Sequence, residues 1–153
     1  ASILAEREAE RSGDTQVLWL DAVERRYMEE VGSMNIFFVI DDSIVTPMLT
    51  GSILPGITRM SVIELGKHWG IHVEERRITI DEVLKGLEDG SVTEVFGAGT
   101  AAVISPVSIL AYKGKDFKVG NEQTGPVAMR FYDHLTGIQY GRESDPFGWL
   151  ELI

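Results

Sequence analysis

The chain has 153 residues, a formal net charge of -10 and no cysteine. That length suffices for one domain with a core of its own. The lack of thiols excludes disulfides, thiolate nucleophiles and cysteine-based zinc sites, and the charge argues against a nucleic-acid backbone as partner and requires local donors for any bound phosphate.

No stretch is long and apolar enough to cross a membrane as a helix. Ala1–Arg7 lacks a basic run followed by an apolar one, so it does not read as a secretion signal, and a cytoplasmic location is expected. Residues 1–11 read as a helix, with Ala1, Leu4, Ala5 and Ala9 on one stripe, ended by Ser12-Gly13-Asp14. This helix has no convincing start signal, so the chain is expected to open inside a longer element. Residues 16–21 have strand composition and 22–26 are turn-like. Residues 27–31 resume as a strand, and Gly32 interrupts it. Strict alternation puts Glu30, Met34 and Phe38 on one face and Ser33, Asn35 and Phe37 on the other, unless the glycine breaks it.

Glu30 stands at the lip of the apolar run Ile36-Phe37-Phe38-Val39-Ile40. A carboxylate there is costly to bury unless a cationic or hydrogen-bonding group meets it. A neighbouring Arg, a backbone amide or the protonated nitrogen of a bound heterocycle would each serve.

Asp41-Asp42-Ser43 reads as a hairpin turn rather than a metal site, and Ile44–Thr46 as a short strand ended by Pro47. A Gly- and hydroxyl-rich loop, Thr50–Thr58, leads into a helix that starts near Ile57 and ends at Gly70. Free amides at such a start form an anion site, with a plain loop-to-helix junction as the alternative. Residues 71–77 read as a strand with its charges solvated or paired. Thr79 and Glu82 form a capping box for a helix that Gly90 terminates.

Residues 92–96 read as a strand. Gly97-Ala98-Gly99-Thr100-Ala101-Ala102 fits the dinucleotide pattern G-x-G-x-x-A, but the β-like, proline-containing Val103–Val107 follows where a helix should. The segment therefore reads as a small-residue loop with Thr100 as a donor. A hairpin over 108–119 precedes a last helix opened by Thr124-Gly125-Pro126, with Val127, Phe131, Leu135 and Ile138 as its core stripe. The tail from Gln139 is expected to pack on the body. His68, His72 and His134 are scattered, so no metal site is expected.

Taken together, a carboxylate, a helix N-terminus and a small-residue loop with a hydroxyl suit a phosphorylated cationic heterocycle. Three segments, Glu30-Val31-Gly32-Ser33-Met34-Asn35-Ile36-Phe37-Phe38, Gly51-Ser52-Ile53-Leu54-Pro55-Gly56-Ile57-Thr58-Arg59 and Glu94-Val95-Phe96-Gly97-Ala98-Gly99-Thr100-Ala101, resemble the branched-chain amino acid aminotransferases, fold-type IV pyridoxal-phosphate enzymes. Leu18–Ala22, Val73–Arg76 and Ile138–Gly141 extend the likeness. The resemblance implies an α+β fold, a mixed β pseudo-barrel with flanking helices. It implies pyridoxal 5'-phosphate as cofactor, branched-chain amino acids and 2-oxoglutarate or glutamate as substrates, and a homodimer.

It also implies roles. Glu30 would pair with the pyridine nitrogen, Leu54 would pack on the ring, and Ser33, where relatives often carry Thr, would lie near it. Ile57 and Thr58 would give backbone amides to the phosphate and Thr100 its hydroxyl. Met34, Ala101 and Ala102 would border the substrate, and Asn35 would be structural. The family's catalytic lysine precedes a Gly-Gly-Asn-Tyr segment that has no counterpart here. The chain is therefore expected to be one domain, the C-terminal part of a longer enzyme, inactive by itself. A D-amino acid aminotransferase, an aminodeoxychorismate lyase or a non-catalytic dimerisation module are the alternatives.

Overall fold

A computed structural model describes residues 16–151. The expected first helix lies outside the described residues. Among the described residues lie nine strands and three helices: β1 (Leu18–Leu20), β2 (Met28–Val31), β3 (Met34–Ile40), β4 (Ser43–Pro47), α1 (Ile57–His68), β5 (Val73–Arg76), α2 (Ile80–Asp89), β6 (Val92–Gly99), β7 (Val103–Pro106), β8 (Ile109–Tyr112), β9 (Lys115–Lys118) and α3 (Pro126–Gln139).

Strand β3 organises the sheet because its sequence, Met-Asn-Ile-Phe-Phe-Val-Ile, offers apolar side chains to both faces. Strand β6 runs antiparallel along one edge of it, from Asn35 opposite Ala98 to Ile40 opposite Val92. On the other edge β2 pairs with the first residues and β4 with the last. Where β2 and β4 part, Thr46 turns its hydroxyl inward and donates to the Ile36 carbonyl at 2.7 Å. This gives a buried carbonyl a side-chain donor. Strand β5 adds parallel to β4, so the sheet is mixed, and the expected α+β class with flanking helices holds.

Alternation along β3 divides the core in two. Ile36 and Phe38 meet Val45, Val95 and the α2 residues Ile80, Val83 and Leu84. Phe37 and Val39 meet Val62 and Leu65 of α1 and Phe131 and Leu135 of α3. Phe37 stacks on Phe96 with centroids 5.3 Å apart. The predicted stripe of the last helix is therefore core, and Phe147 of the tail packs beside it.

Two expectations change. Gly32 and Ser33 form the two-residue turn of a hairpin, with Gly32 at φ +57°, rather than a bulge within one strand. Glu30 consequently stands opposite Asn35 and shares its face, not that of Met34. Gly97-Ala98-Gly99 belongs to β6 and pairs with β7, so only Thr100, Ala101 and Ala102 form the turn. Small residues allow the strand because Met34 lies across it. A Cβ at Gly97 or Gly99 would come within 3.0 Å of that side chain.

The Asp41-Asp42 turn forms as expected, with both residues at positive φ. The capping box is half formed. Thr79 accepts from the Glu82 N–H at 3.1 Å, but the Glu82 carboxylate reaches Arg76 at 2.6 Å instead of returning to Thr79.

Candidate functional site

The β2–β3 hairpin brings Glu29, Glu30 and Asn35 against the loop that precedes α1. Ser52 donates its hydroxyl to Glu29 Oε1 at 2.6 Å. The Leu54 N–H donates to Glu30 Oε1 at 3.2 Å, and Asn35 Nδ2 donates to the Leu54 carbonyl at 2.9 Å. Glu30 is half-buried, and a backbone amide meets its carboxylate. One of its oxygens thus retains acceptor capacity for a second donor. Ser33, at the tip of the hairpin, is exposed.

Helix α1 begins without a side-chain cap from its own N-cap residue. Gly56 caps it in extended geometry, no side chain among the described residues accepts from its first amides, and no acidic residue lies in its first turn. Its N–H groups and the positive end of its dipole are therefore available to an anion. A side chain at Gly56 would strike Asn35 Oδ1, so only glycine lets the loop close this tightly on β3. Leu54 and Ile57 stand 68% and 70% exposed beside this start, apolar surface in position for a flat ring or a second partner.

Arg59 anchors the same turn from beneath. It is buried, and its Nη2 donates to the Pro47 carbonyl at 3.0 Å and to Glu75 at 2.8 Å. Its Nε has no partner in the described structure.

The Thr100–Ala102 turn leaves the sheet at the same end as the hairpin, because Ala98 pairs with Asn35 and Gly99 lies beneath Met34. All three turn residues are exposed, and Thr100 makes no side-chain hydrogen bond among the described residues. The structure thus gathers the three predicted segments at one end of the sheet. A cavity of about 660 Å³ opens beside Glu30, lined by Trp19, Leu20, Glu29, Thr50 and Ser52 among others. Leu54, Ile57, Thr58 and Thr100 are not among its lining residues. All five lysines are exposed and lie elsewhere: Lys67 near the end of α1, Lys85 on α2, and Lys113, Lys115 and Lys118 in the β8–β9 hairpin.

Two acidic side chains brace the surroundings, and sequence reasoning gave neither a role. Asp21 accepts backbone N–H groups from Glu24, Arg26 and Tyr27 at 2.6–2.9 Å and closes the turn between β1 and β2. The Tyr27 N–H foremost, with those of Arg26 and Glu24, holds its carboxyl well below the usual carboxylate range despite the opposing effect of burial. Glu94, buried on β6, accepts from the Val127 and Ala128 N–H groups at 2.9 and 2.8 Å and so caps α3. Sequence separation of more than 30 residues hides this cap. The signal available was a lone carboxylate inside an apolar strand.

Residues 1–110 match the model of the family "amino-transferase class IV". The chain is 56% identical over 149 residues to branched-chain-amino-acid aminotransferase 2 of Bacillus subtilis, an alignment covering 97% of this chain and 41% of that protein. Among solved structures, the branched-chain amino acid aminotransferase of Escherichia coli superposes with a TM-score of 0.81 at 37% identity, covering 98% of this chain and 47% of that one. The T.th. branched-chain amino acid aminotransferase, complexed with N-(5'-phosphopyridoxyl)-L-glutamate, superposes with a TM-score of 0.82 at 35% identity, covering 98% and 46%. The chain thus spans less than half the length of these relatives. With more than two thirds of its residues under the family match, the chain belongs to the class IV aminotransferases.

Proposed function

We propose that this chain forms the cofactor-binding part of a pyridoxal-phosphate-dependent branched-chain amino acid aminotransferase, which moves the amino group of Leu, Ile or Val to 2-oxoglutarate. The observation that carries the reading is the Glu30 carboxylate, tied through Leu54 to an uncapped helix start. Those residues fit the cofactor: an acceptor for a protonated ring nitrogen, an apolar surface, and free amides for a dianionic phosphate. The Bacillus subtilis, Escherichia coli and T.th. relatives support it.

When bound, pyridoxal phosphate supplies an electron-withdrawing ring that stabilises the charge left when an amino acid loses its α-proton. Glu30 would keep that withdrawal strong by accepting the ring N–H. The Leu54 side chain would pack on the ring, with Ser33 near it. The Ile57 and Thr58 amides and the Thr100 hydroxyl would hold the phosphate. Met34 and the Ala101-Ala102 backbone would border the substrate. The lysine that the chemistry requires is not among the five exposed ones here, so the 153 residues are a partial site. We place the enzyme in the cytoplasm as a homodimer, with the rest of the protein covering the exposed Leu54 and Ile57.

The test uses a hybrid, the Bacillus subtilis relative with its matching segment replaced by this chain. Its amino-donor profile should favour L-Leu, L-Ile and L-Val over D-alanine. Preference for D-amino acids, or lyase activity on aminodeoxychorismate, would overturn the substrate assignment.

A further inference from the structure

Both backbone polar groups of Leu54 are gripped by one cross-strand pair. Glu30 and Asn35 stand opposite each other in the β2–β3 register. Glu30 takes the Leu54 N–H at 3.2 Å, and Asn35 Nδ2 gives to the Leu54 carbonyl at 2.9 Å. The same carbonyl accepts the Gly56 N–H at 2.9 Å. Gly56 is the cap of α1, and Asn35 Oδ1 abuts it. Pro55 intervenes and holds Leu54 in extended backbone, so the segment has little freedom between its two anchors. Asn35 is itself 6% exposed, near the start of the largely buried strand β3.

We propose that Asn35 is a positioning residue that sets, through Leu54, both the Glu30 carboxylate and the first-turn amides of α1, so that the two halves of the cofactor site hold one fixed spacing. The proposal rests on the reading of Glu30 as ring-nitrogen partner. Asparagine suits the position because its amide donates from one atom and presents a compact, uncharged oxygen with the other. Aspartate has the same shape but no donor, and it would set a negative charge against the Leu54 carbonyl. The partly buried carbonyl would then keep only the Gly56 N–H as donor, and the loop would shift away from β3. A core filler at this position would affect stability without any link to Glu30. A positioning residue changes what Glu30 does to the ring.

The experiment compares the wild-type hybrid with Asn35→Asp, Asn35→Ala, Glu30→Gln and the double variant Asn35→Ala/Glu30→Gln. Two quantities are read: the Kd for pyridoxal phosphate, and the pH dependence of the bound cofactor's visible absorption. Loss of the Asn35–Leu54 bond should raise the Kd about tenfold in both Asn35 variants. Their absorption titrations should move in the same direction as that of Glu30→Gln. In the double variant the titration should stay where Glu30→Gln alone puts it. A titration unmoved by either Asn35 variant, or an additive shift in the double variant, would overturn the proposal. Failure of both Asn35 variants to fold would also overturn it, because Asn35 would then serve the whole core. A wild-type hybrid that binds no pyridoxal phosphate would instead overturn the functional reading, and the proposal with it.

Discussion

Asp21 accepts three backbone N–H groups, and its folded form binds a proton less readily than the unfolded chain does. The stability it contributes is full above the ordinary carboxylate range, roughly pH 4, and is lost as pH falls below that range. Asparagine keeps the acceptor for Arg26 and Tyr27 but not the one for Glu24. The Tm difference between wild type and Asp21→Asn should therefore be largest near neutrality and shrink in acid; a pH-independent difference contradicts the assignment. Glu30 has a different role at the same scale. In the hybrid, Glu30→Gln should cut kcat by about a hundredfold, the usual size of a lost electrostatic contact to developing charge. Cofactor retention should change much less, because the phosphate amides remain. Equal losses in both would contradict a role in electron withdrawal.

Among the elements, α1 carries the sharpest expectation. Ile57 is its first residue, its N–H has no helical partner, and Gly56 before it is already extended at ψ 141°. Ile57→Pro therefore removes one N–H without breaking the helix. The affinity for pyridoxal phosphate should fall about tenfold, the worth of a charge-assisted bond, while that for pyridoxal stays constant. Equal losses for both ligands would show that this amide does not meet the phosphate. Helix α3 depends on a distant cap. Glu94→Ala should cost about 1–3 kcal/mol, the penalty for stripping a buried acceptor from two amides, and chemical denaturation of the wild-type and variant chains would measure it. A cost below the error of that measurement would mean solvent replaces the carboxylate.

Over the whole molecule, legibility followed the range of the forces involved. Local signals were readable: the Thr79 cap, the Asp41-Asp42 turn and the core stripe of α3 need only residues a few positions apart. The three candidate segments stood out because each carries its own composition, and the structure gathers them at one end of the sheet. Their connections were not. Glu30 facing Asn35 depends on a turn at Gly32-Ser33 that resets the alternation. Gly97-Ala98-Gly99 forms a strand because β3 and β7 offer ladders on both sides, which composition alone does not reveal. Asn35 was readable as structural, but its grip on Leu54 joins residues 19 positions apart in the chain.

Under the proposed function these residues supply the carboxylate that keeps the cofactor ring protonated and the amides that hold its phosphate, and the catalytic lysine lies outside them. A coupled assay with L-leucine, 2-oxoglutarate and added pyridoxal phosphate, run on the 153-residue chain and on the hybrid, tests it most directly. The hybrid should sustain turnover and the chain alone should show none. Sustained turnover by the chain alone, or a folded hybrid that binds the cofactor and does not transaminate, would contradict it.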